Sequence, residues 1–317
     1  MRVTDQMIAS TILSNLNNNE KRLLDIQNKL SSGHNIARPS DDPVVAARVM
    51  GLNTGLDQNK QYQKNISDAQ AWLQTTDQAL DNIGSALQRA RQLTMQGING
   101  TLSDTDRQAV AQEIDQLIQN VVDNANTNFG GRYIFGGTMT TEKPFQYTNT
   151  GNATQIADGI YYYGNQDPLN WEIGQGVQIA VNTVGASTRS DNVVASIAGN
   201  TPGGAPDNNL FATLVNIKND LNNSDTGDLE TQLQNLDKNI DNILSLRSVV
   251  GAKENRLQAA SDQASAGNLN LTSVLSNLYD VDLAKTYTDF STQQNAYQAA
   301  LNVAARIIQP SLVDFLK

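Results

Sequence analysis

Two long apolar stripes lie toward opposite ends of the chain. Leu283, Tyr287, Phe290, Gln294, Tyr297, Leu301, Ala304 and Ile308 recur in alternating steps of four and three. That spacing keeps one stripe on a single face of a helix about 40 Å long, at roughly 1.5 Å per residue. The other faces are mostly Asp, Thr, Ser, Gln and Asn, so the stripe has to meet another apolar surface. Ile8, Ile12, Leu16, Asn19, Leu23, Ile26 and Leu30 repeat the same step. The two ends are therefore expected to pair with each other, or with copies of themselves, as a helical stem. This pattern points to assembly rather than catalysis.

Between the stripes the pattern changes several times. The first helix is expected to stop at Leu30-Ser31-Ser32-Gly33, with Gly33 as a left-handed cap. Arg38-Pro39-Ser40-Asp41-Asp42-Pro43 reads as a rigid corner, in which Asp42 caps the next helix and Pro43 takes its first position. From about Lys60, Ile66, Leu73, Thr76, Leu80, Ile83, Leu87, Ala90 and Thr94 form a stripe that stops at Gly97-Ile98-Asn99-Gly100. Ser103 then caps a second helix reciprocally with Asp106, and Val110, Ile114, Leu117 and Val121 form its face. The two helices read as an antiparallel hairpin.

From Tyr133 to Val194 the chain becomes rich in Gly, Thr, Asn, Tyr and Val. Alternation at Tyr161 to Tyr163, Trp171 to Ile173 and Val177 to Val181 predicts short antiparallel strands. Ala198 to Asn208 is the loop out of them. Helical pattern returns at Leu210 to Leu221, turns at Asn222 to Gly227 and resumes from Leu229. Arg247 and Glu254 lie on this last apolar stripe, so both are expected to pair with another helix. The expected fold is mainly α with a β insert: an elongated antiparallel helical bundle, a terminal coiled-coil stem and a small antiparallel β-domain. The boundaries expected are a stem at 1–43 plus 275–317, a bundle at 44–132 plus 205–274, and a β-rich outer domain at 133–204, far from both termini.

Composition narrows the function. Only 5% of residues are aromatic and 39% hydrophobic, which suits helical pairs with thin cores. The net charge is −10 with no basic stripe, which argues against a nucleic-acid partner. The absence of cysteine excludes disulfides, thiolate metal sites and cysteine nucleophiles. Met1 to Ser14 lacks the basic and apolar blocks of a cleaved signal peptide, and no apolar run is long enough to insert in a membrane.

The candidate chemistry reduces to structure. His34 is the single histidine and reads as a solvated turn residue, so no triad or histidine metal site is expected. Asp41 and Asp42 read as cap residues, and Asp280 and Asp282 as partners of a helix dipole. Gly136-Gly137 lacks the phosphate-loop spacing. Trp72, Trp171 and Tyr161 to Tyr163 read as packing rather than a sugar platform. No enzyme activity, cofactor or metal is expected.

Leu30-Ser31-Ser32-Gly33, Ile36 and Ser40-Asp41-Asp42 resemble the N-terminal signature of bacterial flagellins. Arg247, Gly251-Ala252, Asn255-Arg256-Leu257 and Asp280-Val281-Asp282 with Ala284 resemble its C-terminal counterpart. Arg38-Pro39-Ser40-Asp41-Asp42-Pro43-Val44, Gly131 to Gly137 and Lys143-Pro144-Phe145 are similar to one branch of that family, the hook-associated proteins at the hook–filament junction. The polar Thr4 to Gln6 and the Leu316-Lys317 ending depart from flagellin itself.

The resemblance implies a structural junction protein of the bacterial flagellum, working as a ring homo-oligomer. Its implied partners are flagellin, the neighbouring hook-associated junction protein and an export chaperone. It implies export through the flagellar type III channel to an extracellular position. The assembly seam would use Ile8, Ile12, Leu16, Leu23, Ile26, Leu30, Leu283, Tyr287, Phe290, Tyr297, Leu301 and Ile308. The chaperone would cover Leu283, Tyr287, Phe290, Tyr297, Leu301, Ile308, Leu312 and Phe315. Filament flagellin is the rival reading, and a secreted adhesin or enzyme carried on the β insert a further one.

Overall fold

The computed structural model describes residues 2–36, 38–99, 101–148, 154–185, 196–198 and 209–308, the side chains of 2–6, 154 and 306–308 apart. Among them the elements run α1 (Arg2–Ser32), α2 (Pro43–Ile98), α3 (Asp104–Ala125), seven short strands, α4 (Leu210–Asn223), α5 (Thr226–Tyr279) and α6 (Leu283–Ile308). The chain divides into two compact units, residues 1–60 with 266–317 and residues 61–265. Both divisions fall inside the long helices α2 and α5, rather than at the Pro43 corner where proline and aspartate punctuate the sequence.

In the unit 61–265, α2 and α5 lie antiparallel. Gln63 meets Ser265 at 3.5 Å, Gln70 meets Gln258 at 3.3 Å, and Arg91 pairs with Asp237 at 2.6 Å. α3 folds back along α2, where Arg89 pairs with Glu113 at 2.6 Å and Asn82 with Asn124 at 3.0 Å. Ser103 makes the expected capping box with Asp106 at the start of α3. The α2 stripe is the core. Ile66, Leu73, Leu80, Ile83 and Leu87 are essentially inaccessible, each stabilising by about 1.5–3 kcal/mol through burial. Thr76 and Thr94 sit in that stripe because each hydroxyl donates to a carbonyl one turn back, Trp72 O at 2.9 Å and Ala90 O at 2.8 Å.

The strands form three small antiparallel sheets. β1 (Asn128–Phe129) pairs with β2 (Arg132–Tyr133). β5 (Ile160–Tyr162) lies between β3 (Phe145–Gln146) and β4 (Thr154–Ala157). β6 (Asn170–Gly174) pairs with β7 (Val177–Ala180). The β4–β5 turn is Asp158-Gly159, with Gly159 at φ 77° supplying the positive dihedral a two-residue hairpin needs.

These strands do not make a separate outer domain. Strands of two to five residues bury too little surface to stand alone. Ile134, Phe135, Phe145, Ile160, Ile173 and Ile179 instead share one continuous core with α2, α3, α4 and α5. Within this unit β6 bonds to α2 some five turns after its start at Pro43. Tyr62 Oη donates to Glu172 Oε1 at 3.4 Å and Asn65 Nδ2 to the Glu172 carbonyl at 2.8 Å. Trp72, buried as expected of a packing residue, stands edge-on to Trp171 with ring centroids 6.1 Å apart. Asn126 ties the end of α3 to β3, donating to and accepting from the Phe145 backbone at 2.9 Å each. Asn209 caps α4 from within the core, accepting from Ala212 N at 2.8 Å.

Candidate assembly surface

The unit 1–60 with 266–317 holds the paired termini. Its centre is a corner where the α1–α2 and α5–α6 connections bind each other. Gly33, at φ 74°, ends α1 and donates to Lys29 O at 2.9 Å. Its own carbonyl accepts from Val281 N at 3.0 Å, and Asn35 N donates to Tyr279 O at 2.7 Å. Asn35 Nδ2 adds a bond to Asp280 O at 2.9 Å. His34 and Asp280 thus face each other as an antiparallel bridge.

His34 is therefore not the solvated turn residue its place after Gly33 suggested. Its ring stacks on Tyr279 at 3.8 Å, and Nδ1 lies 3.4 Å from Asp280 Oδ1, a contact off the hydrogen-bonding direction. Asp280 takes part in the corner through its backbone carbonyl, which accepts from Asn35 Nδ2. Asp282 does serve a helix, accepting from Lys285 N at 3.1 Å at the start of α6. On the other arm, Asp42 Oδ1 accepts from Val44 N and Val45 N, both at 3.0 Å. With Pro43 as the first helical residue this is the expected cap. Asp41 closes the turn before it, accepting from Arg38 N at 2.9 Å, while Ser32 accepts from His34 N at 3.2 Å. Ser40 is exposed in that turn.

Beyond the corner α1 and α6 run antiparallel, with Gln293 Nε2 within 3.4 Å of both the backbone and the side-chain oxygen of Asn19. On α1 Ile12, Leu16, Asn19, Leu23, Ile26 and Leu30 are half-buried, as the stripe predicts, together with Lys29; at the N-terminal end Ala9 is half-buried in place of Ile8, which is 50% exposed. On α6 the stripe divides. Phe290, Tyr297 and Ala304 face inward, but with Thr286, Gln293 and Ala300 rather than the expected neighbours.

Leu283, Tyr287 and Leu301 are 58%, 68% and 41% exposed, and Gln294 is exposed with them. Two adjacent stripes share Phe290, Tyr297 and Ala304, so periodicity alone could not rank them. The inward one offers small residues, which let helices approach closely, and the amide that reaches Asn19. Ile308 ends α6, its side chain outside the described residues, as are Leu312 and Phe315.

The C-terminal motif lies on α5 in the other unit. Arg247 pairs with α2 as its place on the stripe required: Nε to Asp77 Oδ1 at 2.9 Å, Nη2 to Asp77 Oδ2 at 3.1 Å and Nη1 to Asp81 Oδ1 at 2.5 Å. These contacts raise the guanidinium pKa above its ordinary value, the Asp77 hydrogen bond most. Glu254 is pushed up instead, first by burial and then by the Asp77 charge. Leu257 is fully buried; Asn255 and Arg256 are exposed. A Cβ at Gly251 would meet no atom within 4 Å.

Asn35, Tyr279, Thr286 and Gln293 were missed from the sequence. Only Tyr279, adjoining Asp280-Val281-Asp282, carried a local signal. Among the described residues no group of three or more His, Cys, Asp or Glu is placed to hold a metal ion, and no helix is long and apolar enough to cross a membrane.

The model of the bacterial flagellin N-terminal helical region matches residues 3–140, and that of the bacterial flagellin C-terminal helical region matches residues 233–316. The chain is 28% identical over 312 residues to flagellar hook-associated protein 3 of Escherichia coli (strain K12), spanning 95% of each. It is also 28% identical over 326 residues to flagellin of Bacillus subtilis (strain 168), spanning 98% of this chain and 97% of that one. The crystal structure of Bacillus cereus FlgL superposes with a TM-score of 0.55 at 26% identity, covering 71% of this chain and 99% of that chain. With both helical regions matched around a β-containing middle, the chain belongs to the bacterial flagellin family.

Proposed function

We propose that this chain is a structural junction subunit of the bacterial flagellum, joining the hook to the flagellin filament. The observation that carries the reading is end-to-end similarity to flagellar hook-associated protein 3, over 95% of both chains. The Arg38 to Pro43 corner and the Gly131 to Gly137 entry to the strands support the same branch.

In this reading the α1–α6 pair packs against other copies in a ring, through Ile8, Leu283, Tyr287 and Leu301 on its exposed faces. The ring offers flagellin a seam of the same kind as its own and meets a neighbouring hook-associated protein on the other side. Before export through the type III channel, a chaperone covers the same α6 residues, since an exposed apolar row on a free chain invites association. Loss of residues 283–317 then abolishes capture of that chaperone; capture by the truncated chain would refute the assignment.

The B. subtilis flagellin match supports a second reading, in which the chain is itself the filament subunit. Electron microscopy of a strain lacking the gene, with flagellin blotted in the medium, separates the two. Bare hooks with shed flagellin are expected of a junction subunit. Bare hooks with no flagellin shed would identify the filament protein, and normal filaments would exclude both.

A further inference from the structure

The α1–α6 seam carries one polar pair across its apolar length. From α1 it presents Ile12, Leu16, Leu23 and Ile26, and from α6 Phe290, Tyr297, Ala300 and Ala304. Asn19 and Gln293 stand level in the middle of it, both half-buried. Thr286, the other inward polar residue of α6, is satisfied within its own helix, donating to Asp282 O at 2.7 Å. Gln293 instead spends its amide on the partner helix.

We propose that Asn19 and Gln293 are the positioning residues that set the axial register of the α1–α6 pair. Counting seven residues from the amide pair along each of the antiparallel helices sets Ile12 level with Ala300. A slip of one helical turn would set Asn19 against Phe290 or Tyr297, and Gln293 against Leu16 or Leu23. Each half-buried amide would then face an apolar partner with its bond across the seam lost, and the more of it that water cannot reach, the more this costs beyond the bond itself. Apolar contacts give no such discrimination, because Ile, Leu, Phe and Tyr pack acceptably a turn away. A polar residue in an apolar helical seam selects register at a cost in stability.

The corner at Gly33 and Val281 holds one end of the pair, and the amides add a second pin well along it. The second pin matters most where α1 of one copy can meet α6 of another. The adjacent Gln294 tolerates a small rotation of α6 but does not relieve a slip of a turn. The inference rests on the helix pair alone and stands whether the subunit serves the junction or the filament.

Because the chain has no cysteine, paired cysteines report register directly. Ile12→Cys combined with Ala300→Cys tests the observed register. Ile12→Cys with Tyr297→Cys, or with Ala304→Cys, tests a slip by a turn, disulfide geometry being strict. In the otherwise unaltered chain the Ala300→Cys product is expected to form about tenfold faster than the other two, the ratio one net hydrogen bond sustains.

In the Asn19→Leu/Gln293→Leu background the three rates should fall within about threefold of one another, while the melting temperature rises. That combination, a more stable pair with less defined register, is not what loss of a merely structural contact would produce. Gln293→Leu alone, checked by circular dichroism for retained helix, should show the same spread with a lower melting temperature. A preference for the Ala300→Cys product that survives unchanged in both backgrounds would assign the register to the corner and overturn the proposal.

Discussion

Arg247 holds Asp77 with two arms of its guanidinium, Nε at 2.9 Å and Nη2 at 3.1 Å, while its third nitrogen reaches Asp81. The geometry matches the planar fork to the carboxylate, which an ammonium group does not reproduce. Arg247→Lys should therefore cost about 1 kcal/mol despite keeping the charge, the site being partly open to water. Arg247→Ala should cost about 2 kcal/mol, because Asp77, Asp81 and Glu254 are then left to repel one another. In thermal melts that corresponds to a fall of roughly 2–4 °C per kcal/mol for a unit of this size. A lysine variant as stable as the parent would show that charge alone, not the fork, ties α2 to α5.

Gly33 is held at φ 74° with nothing within 4 Å of where a Cβ would stand. Its substitution is thus a pure test of backbone conformation. Gly33→Ala should destabilise the corner by roughly 1–2 kcal/mol, the left-handed penalty for an L-residue. Gly33→Asn should cost less, since asparagine tolerates that region. Hydrogen exchange at Asn35 N and Val281 N, which bond to Tyr279 O and Gly33 O, is the direct measurement. Protection at those amides that is unaltered in Gly33→Ala would mean that the corner does not depend on this cap.

Local signals carried much of the fold. The Gly33 cap, the Asp42–Pro43 restart and the Ser103–Asp106 box are each decided by residues within one turn, and each stands where the sequence placed it. The α1 stripe was legible because its apolar residues have no rival stripe beside them. On α6 two stripes overlap, and the choice between them depends on Asn19, hundreds of positions away. The same distance hid the role of His34: its partners Tyr279 and Asp280 lie across the fold. The β insert looked autonomous because its composition changes abruptly. Its strands nevertheless bury their apolar faces on Trp72 and its neighbours, a long-range fact with no local signature.

The capping box supplies a third test. Ser103 accepts from Asp106 N at 3.2 Å, and Asp106 Oδ2 accepts in turn from Ser103 N at 3.3 Å. Ser103→Ala removes the forward bond and should cost about 1 kcal/mol, whereas Ser103→Thr should be nearly neutral. Denaturant titration of the two variants measures the difference through the midpoint at unchanged slope. Equal midpoints for alanine and threonine would show that α3 is held by packing on α2 alone.

Asp220 lies near the end of α4, its Oδ2 buried without a hydrogen-bond partner among the described residues. Burial first, then the charges of Asp228 and Asp225, push its pKa from an ordinary 3.8 up to about 6. The folded chain therefore binds this proton more tightly than the unfolded chain does. Through linkage, the group's contribution to stability grows as pH falls from about 6 toward 4 and is lost as pH rises through 6. Asp220→Asn removes the ionised form altogether.

At pH 7.5 the variant should melt above the parent, by a gain of about 1 kcal/mol or less because water partly screens the site. Near pH 4 most of that difference should be gone, since the folded parent's carboxyl is then protonated and neutral, while in the unfolded chain it is close to its midpoint. Melts at both pH values isolate this group from the general relief of a net charge of −10, which acts on parent and variant alike. A variant advantage that is the same at pH 4 and pH 7.5 would trace the effect to packing, and one that is larger at pH 4 would mean that folding weakens the hold of this carboxyl on its proton.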